Sequence, residues 1–230
     1  MKKYAIFYSV LVLPFIIYFG IYAYDNEFFK RGLKYYQNNE FQLAVANFEE
    51  SKKLNPDESL NYFYLGNSFY QMNDLDNAIL NYTAGLNFTD KKGIFFYNLG
   101  NCYYLKENYS FSTEMYSKAI INDPALLDSY LNSGNAYYKM KDYAQTIVQW
   151  ETYLEKYPEN PQYENIEKAI AYLREELQNP SSQESDSGDV NEDLLGDVLS
   201  DLEELISRTE NVMEVSEAPI DDLTSEDIER

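Results

Sequence analysis

The sequence predicts an all-α fold: a solenoid of four stacked helical hairpins with a capping helix, a transmembrane helix in front of it and a mostly disordered acidic tail behind. Three observations predict it. A set of residue types returns every 34 positions through the middle of the chain. Apolar residues inside each period recur at helical spacing. Charge is missing from the start of the chain and concentrated at its end.

The first element is residues 1–24. Met1-Lys2-Lys3 precedes an uncharged run of 21 residues, Tyr4 to Tyr24. At a rise of ~1.5 Å per residue such a helix covers a hydrocarbon core of about 30 Å. Tyr4, Tyr8, Tyr18, Tyr22 and Tyr24 fall where interfacial aromatic anchors belong, and a membrane helix accommodates Pro14 as a kink. A cleavable signal sequence has a shorter apolar region, about 7–15 residues, ending at small residues. Here Ile21-Tyr22-Ala23 puts a bulky isoleucine at the outer small site, so the anchor is preferred to the signal sequence. Lys2 and Lys3 on one flank are balanced by Lys30, Arg31 and Lys34 on the other. Long domains cross membranes largely regardless of charge. The expectation is a single pass through a bacterial cytoplasmic membrane, with the repeats on the outer, periplasmic side.

The repeats follow over 25–160, as units 25–58, 59–92, 93–126 and 127–160. Gly32, Gly66, Gly100 and Gly134 stand 34 residues apart. Four positions before them come Phe28, Tyr62, Phe96 and Tyr130, and three after come Tyr35, Phe69, Tyr103 and Tyr137. Ala44, Ala78, Ser112 and Thr146 fall twelve after, and Phe48, Tyr82, Tyr116 and Trp150 sixteen after. Pro56, Pro124 and Pro158 close three units, with Asp90 in the remaining slot. Polar breaks at Asn38-Asn39, Asn73-Asp74, Glu107-Asn108 and Lys141-Asp142 divide each unit into two helices. The glycine lets the second helix approach the first, the aromatics fill the space between them, and the proline stops the second helix. A lone hairpin leaves apolar faces bare, so stability has to come from stacking.

These columns resemble the tetratricopeptide repeat family in their period and in their Gly, Tyr, Ala, Phe and Pro positions. Arg31 and Ser133 depart from an apolar slot, Tyr153 from a small one and Asp90 from proline. The resemblance implies a right-handed superhelix whose first helices line a concave groove for a partner's peptide or helix. Carried onto this chain, the groove is lined by Phe29, Lys30, Leu33 and Tyr36, then Phe63, Tyr64, Asn67 and Tyr70. Tyr97, Asn98, Asn101 and Tyr104 continue it, followed by Leu131, Asn132, Asn135 and Tyr138. The candidate contacts are Tyr36, Tyr64, Asn67, Tyr70, Asn98, Asn101, Tyr104, Asn132, Asn135 and Tyr138. An asparagine amide both donates and accepts, which suits a ligand's main chain, and tyrosine adds apolar area with a polar tip. Only Lys30 and Lys139 provide cations there, which disfavours an acidic chain end and points to an apolar or neutral segment.

Residues 161–178 carry Tyr163, Ile166, Ala169, Ile170, Leu173 and Leu177 on one helical face and are expected to cap the stack. Residues 179–230 hold 17 of the 39 acidic side chains and 2 of the 18 basic ones, so most of the net charge of −21 is tail. Asn179 to Gly188 read as a linker. Val190, Leu194, Leu195, Val198, Leu199, Leu202, Leu205 and Ile206 then recur at helical spacing, an amphipathic helix over about 190–206 that awaits a surface, on this chain or on a partner.

Composition excludes several functions. The acidic balance disfavours nucleic acid, whose phosphates need clustered Lys and Arg. With no histidine and one cysteine, Cys102, there is no imidazole base and no Cys-based zinc site. No Gly-rich phosphate loop or nucleophile motif appears, and Glu49-Glu50 and Glu175-Glu176 read as solvated helix faces. No catalytic residue, metal ligand, cofactor or small-molecule substrate is expected. The expected function is a membrane-anchored, non-enzymatic scaffold or adaptor that binds a partner's peptide or helix in its groove and serves assembly of a cell-envelope complex. The alternatives are a soluble exported adaptor freed by leader cleavage, and a regulatory subunit of an enzyme.

Overall fold

In a computed structural model the described residues are 27–178, and among them all regular structure is helical. The chain is helical from 27 to 37 (α1). Then follow α2 (Phe41–Leu54), α3 (Ser59–Gln71), α4 (Leu75–Gly85), α5 (Lys92–Leu105), α6 (Tyr109–Asn122), α7 (Asp128–Lys139), α8 (Tyr143–Lys156) and α9 (Tyr163–Gln178). The expected membrane segment and acidic tail lie outside the described residues. Among those described, no helix is long and apolar enough to cross a membrane. The chain divides into two units between Tyr163 and Glu164.

In the first unit, each helix from α2 to α7 packs on its successor. Four tight turns join the helices of each hairpin, and all four have one geometry. Asn39, Asn73, Glu107 and Lys141, 34 residues apart, hold φ of 61°, 58°, 57° and 60°. At each turn two amides bond back to the end of the first helix, as with Asp74 N to Phe69 O and Asn73 N to Tyr70 O, both 2.8 Å. This is a left-handed helix stop. The next residue caps the second helix. Asp74, Asn108 and Asp142 accept from Asn77 N, Phe111 N and Gln145 N, whereas Glu40 makes no side-chain cap.

The glycine column is where the two helices of a hairpin meet. A Cβ on Gly32, Gly66, Gly100 or Gly134 would come under 3.0 Å from the ring of Phe48, Tyr82, Tyr116 or Trp150. Those four rings are 0–2 % exposed. Ala44, Ala78, Ser112 and Thr146 are fully buried one helical turn earlier on the second helix, and Ser112 Oγ ties the pair by donating to Gly100 O at 2.9 Å. Prolines act as expected: α2, α6 and α8 each end two residues before one, because the residue preceding proline avoids helical backbone. Where Asp90 takes that slot, α4 stops at Gly85 and leaves through a turn in which Phe88 N bonds to Gly85 O.

Successive hairpins stack through the next columns. Leu65, Leu99 and Ser133 are buried, as are Ser68, Cys102 and Ala136. In the first hairpin these slots are Arg31 and Lys34, both exposed. Charge at the N-terminal end of the stack keeps that face solvated. At the other end Tyr153 fills the slot held by Ser51, Gly85 and Ala119. It is buried, and its hydroxyl accepts from Asn160 Nδ2.

In α9, Ile166, Ala169, Ile170 and Leu173 form a buried stripe. Leu177, which spacing places on the same face, is 50 % exposed.

Candidate protein-binding groove

The asparagines of the candidate site turn inward. Tyr82 Oη donates to Asn67 Oδ1 at 2.6 Å, Tyr116 Oη to Asn101 Oδ1 at 2.7 Å and Trp150 Nε1 to Asn135 Oδ1 at 2.9 Å. In each pair the donor is the ring that occupies the glycine gap. Burial holds the Tyr116 phenol well above its ordinary pKa, with the neighbouring Tyr97 adding to the shift, so it stays protonated and able to donate.

The second set of asparagines joins one hairpin to the one before it. Asn98 Nδ2 reaches Asn67 Oδ1 at 3.5 Å, and Asn132 Nδ2 reaches Asn101 Oδ1 at 3.2 Å and Tyr97 Oη at 3.3 Å. Asn67 and Asn101 therefore each accept twice, once from their own hairpin and once from the next. A buried amide network of this kind fixes how units register on one another, because each missing partner leaves a desolvated polar atom.

Between the first and second hairpins the described residues make no asparagine–asparagine rung, and aromatic packing takes its place. Tyr64 stacks on Phe48 at 5.3 Å and meets the edges of Phe29 and Tyr36 at 5.8 and 5.6 Å. Burial pushes the Tyr64 phenol up to about 12.

These roles leave little of the candidate set open. Tyr64, Asn67, Tyr70, Asn98, Asn101, Tyr104, Asn132 and Asn135 are each 8 % exposed or less. Tyr36 and Tyr138, at the two ends of the row, are half-buried. Phe29 and Leu33 are half-buried too, whereas Phe63, Tyr97 and Leu131 in the first column and Asn67, Asn101 and Asn135 in the second are covered. Cys102 is fully buried. Asn135 alone among these asparagines has an amide nitrogen that is buried and makes no hydrogen bond. Near it, Tyr138 lies parallel to Trp150, with ring centroids 6.2 Å apart. Among the described residues no three His, Cys, Asp or Glu side chains cluster as a metal site.

Spacing did not mark Tyr82, Tyr116 and Trp150 as polar partners, yet a signal was present. Where Leu33 follows the glycine, the ring fifteen residues on is Phe48, which has no donor; where asparagine follows it, that ring is Tyr82, Tyr116 or Trp150.

Stacked hairpins with a glycine–aromatic lock define a helical-repeat fold. Residues 128–160 match the tetratricopeptide repeat family model. Solved structures share the architecture. A MamA protein is 15% identical with a TM-score of 0.61, over 85% of this chain and 98% of that one. A second MamA structure is 16% identical with a TM-score of 0.58, over 78% and 94%. YrrB, described as a tetratricopeptide repeat protein with an unusual peptide-binding site, is 14% identical with a TM-score of 0.56, over 79% and 89%. At these identities the likeness is one of fold. No curated protein matches the sequence.

Proposed function

We propose that this chain is a membrane-anchored scaffold whose concave face holds an extended peptide or a helix of a partner protein, in assembly of a cell-envelope complex. The observation that carries the reading is Asn135: a buried amide donor without an acceptor, beside the half-buried Tyr138. A partner that opens the wall over this amide brings a main-chain carbonyl to it while an apolar side chain lies on the tyrosine, and an unmet buried donor costs roughly 1–3 kcal/mol. Residues 4–24 supply the anchor, and the apolar stripe of 190–206 offers partners a second contact.

Photocrosslinking from position 138 in intact membranes tests it, comparing the native chain with Asn135→Ala. Loss of specific adducts in the variant supports the groove, and unchanged adducts remove Asn135 from it. N-terminal sequencing of the mature protein tests the anchor, since a start near Asp25 would replace it with a cleaved leader.

A further inference from the structure

We infer that the N-terminal mouth of the groove, on α1, is a docking surface for an acidic amphipathic helix of a partner protein. The inference deepens the function proposed above by giving the partner's chemistry, and it rests on that reading.

The difference between α1 and its counterparts carries the argument. Phe29, Leu33 and Tyr36 recur at helical spacing and form one stripe along α1, and all three are half-buried. In α3 the equivalent Phe63, Asn67 and Tyr70 are 2, 5 and 8 % exposed, and in α5 Tyr97, Asn101 and Tyr104 are 4, 1 and 7 %. In α7 the equivalent Leu131 and Asn135 are 2 and 1 % exposed and only Tyr138 of the three is half-buried, so α1 offers three accessible side chains on this face where α7 offers one. The stripe is also fixed in place: Phe29 and Tyr36 both lie against the buried Tyr64. A partner meeting it orders little that is not ordered already, which favours binding.

Charge sets the kind of partner. At 3.6 residues per turn, Lys30 and Lys34 stand about a quarter-turn to one side of the stripe. Both are exposed, and neither makes an ion pair with a described residue. An apolar stripe with two cations along one edge complements a helix with apolar residues at i, i+3 or i+4 and i+7 and carboxylates along one flank. Lys30 alone at this end points to an apolar or neutral segment; with Lys34 exposed beside it, a neutral segment would leave two cations unused, and a basic one would be repelled by them.

The test uses fluorescence anisotropy with a labelled 18-residue helical peptide, leucine at the stripe positions and glutamate at the flanks, and a counterpart with lysine flanks. The protein is the full chain carrying Leu195→Asp, Leu199→Asp and Leu202→Asp, which removes its own acidic apolar stripe from the experiment. The expected result is binding of the glutamate peptide that weakens at least tenfold in Lys30→Glu plus Lys34→Glu, is kept in Lys30→Arg plus Lys34→Arg, and falls as salt rises. In the charge-reversed chain the lysine peptide binds instead. All four substitutions are at exposed positions, so folding is preserved. Equal binding of the two peptides by the native α1, or binding of neither, would overturn the inference. So would capture of the chain by phosphatidylglycerol vesicles that the charge reversal abolishes, with no peptide bound; lipid would then be the occupant. Crosslinking at position 138 reads the other end of the groove, so an Asn135→Ala variant with unchanged adducts and normal peptide binding would leave this surface standing while the unit-four reading falls.

Discussion

Trp150 Nε1 donates to Asn135 Oδ1 at 2.9 Å, fifteen residues along the chain, and Tyr116 to Asn101 and Tyr82 to Asn67 repeat that bond at the same separation. The ring that fills the glycine gap thus also meets the amide beside the glycine. In the first hairpin both partners are apolar, Leu33 and Phe48. The chain therefore contains two complete solutions to one packing problem, and hybrids of them should fail. Tyr116→Phe deprives the buried Asn101 oxygen of one of its two donors and is expected to cost about 1–3 kcal/mol. Adding Asn101→Leu recreates the first hairpin's pair, but leaves Asn132 without that acceptor. The double variant should therefore be less destabilised than the sum of the singles without returning to native stability. Urea denaturation of the four chains measures the coupling, and strict additivity would contradict it.

Gly100→Ala tests the close approach. Alanine is the better helix former by up to about 1 kcal/mol, so propensity alone predicts a gain. Its methyl would stand under 3.0 Å from the Tyr116 ring, which is fully buried. A ring with no room to retreat makes overpacking the larger effect, a net loss of roughly 1–3 kcal/mol. Thermal unfolding decides the sign.

Most of the fold was legible in the sequence because the forces that set it act through spacing. A 34-residue period, the aromatics at fixed offsets from Gly66 and Gly100, and the polar break at Asn73-Asp74 carry the hairpin, its lock and its turn. The direction in which Asn67 and Asn101 point was not legible. Spacing puts an amide in a column, but an amide that both donates and accepts serves a ligand or a neighbouring helix equally well, and the choice depends on a hydroxyl fifteen residues away. Nor does spacing mark how far each unit covers the next. Tyr36 and Tyr70 occupy the same column, yet Tyr36 is half-buried and Tyr70 buried.

The turn column makes a prediction of the opposite sign. Asn39 and Asn73 hold a left-handed backbone that asparagine tolerates, whereas Glu107 and Lys141 hold the same φ, 57° and 60°, with side chains that disfavour it. Glu107→Asn and Lys141→Asn should each stabilise the chain by roughly 0.5–1 kcal/mol. Asn73→Glu should lose a similar amount, and the midpoints of chemical denaturation report all three.

Asp128, at the start of α7, gives the pH dependence. Burial raises its carboxyl above the ordinary value of 3.8, because desolvation disfavours the charged form. A carboxyl whose pKa is higher folded than unfolded holds its proton more tightly in the native state. Its contribution to stability is therefore complete below the unfolded pKa, and it is lost as pH rises through the raised one. At neutral pH the native chain carries a half-buried ionised group, and Tyr153, whose phenol burial raises first, is pushed up further by that charge. Asp128→Asn removes the charge at nearly constant volume. The variant should exceed the native chain in stability at pH 7, and the two should converge as pH falls below 3.8. The other carboxylates titrate in both chains, so the difference between the two stability curves isolates this residue. A spectroscopic titration should show the Tyr153 phenol ionising at lower pH in the variant. A constant offset between the two curves across the whole range would mean that the substitution changed packing rather than the electrostatics of position 128.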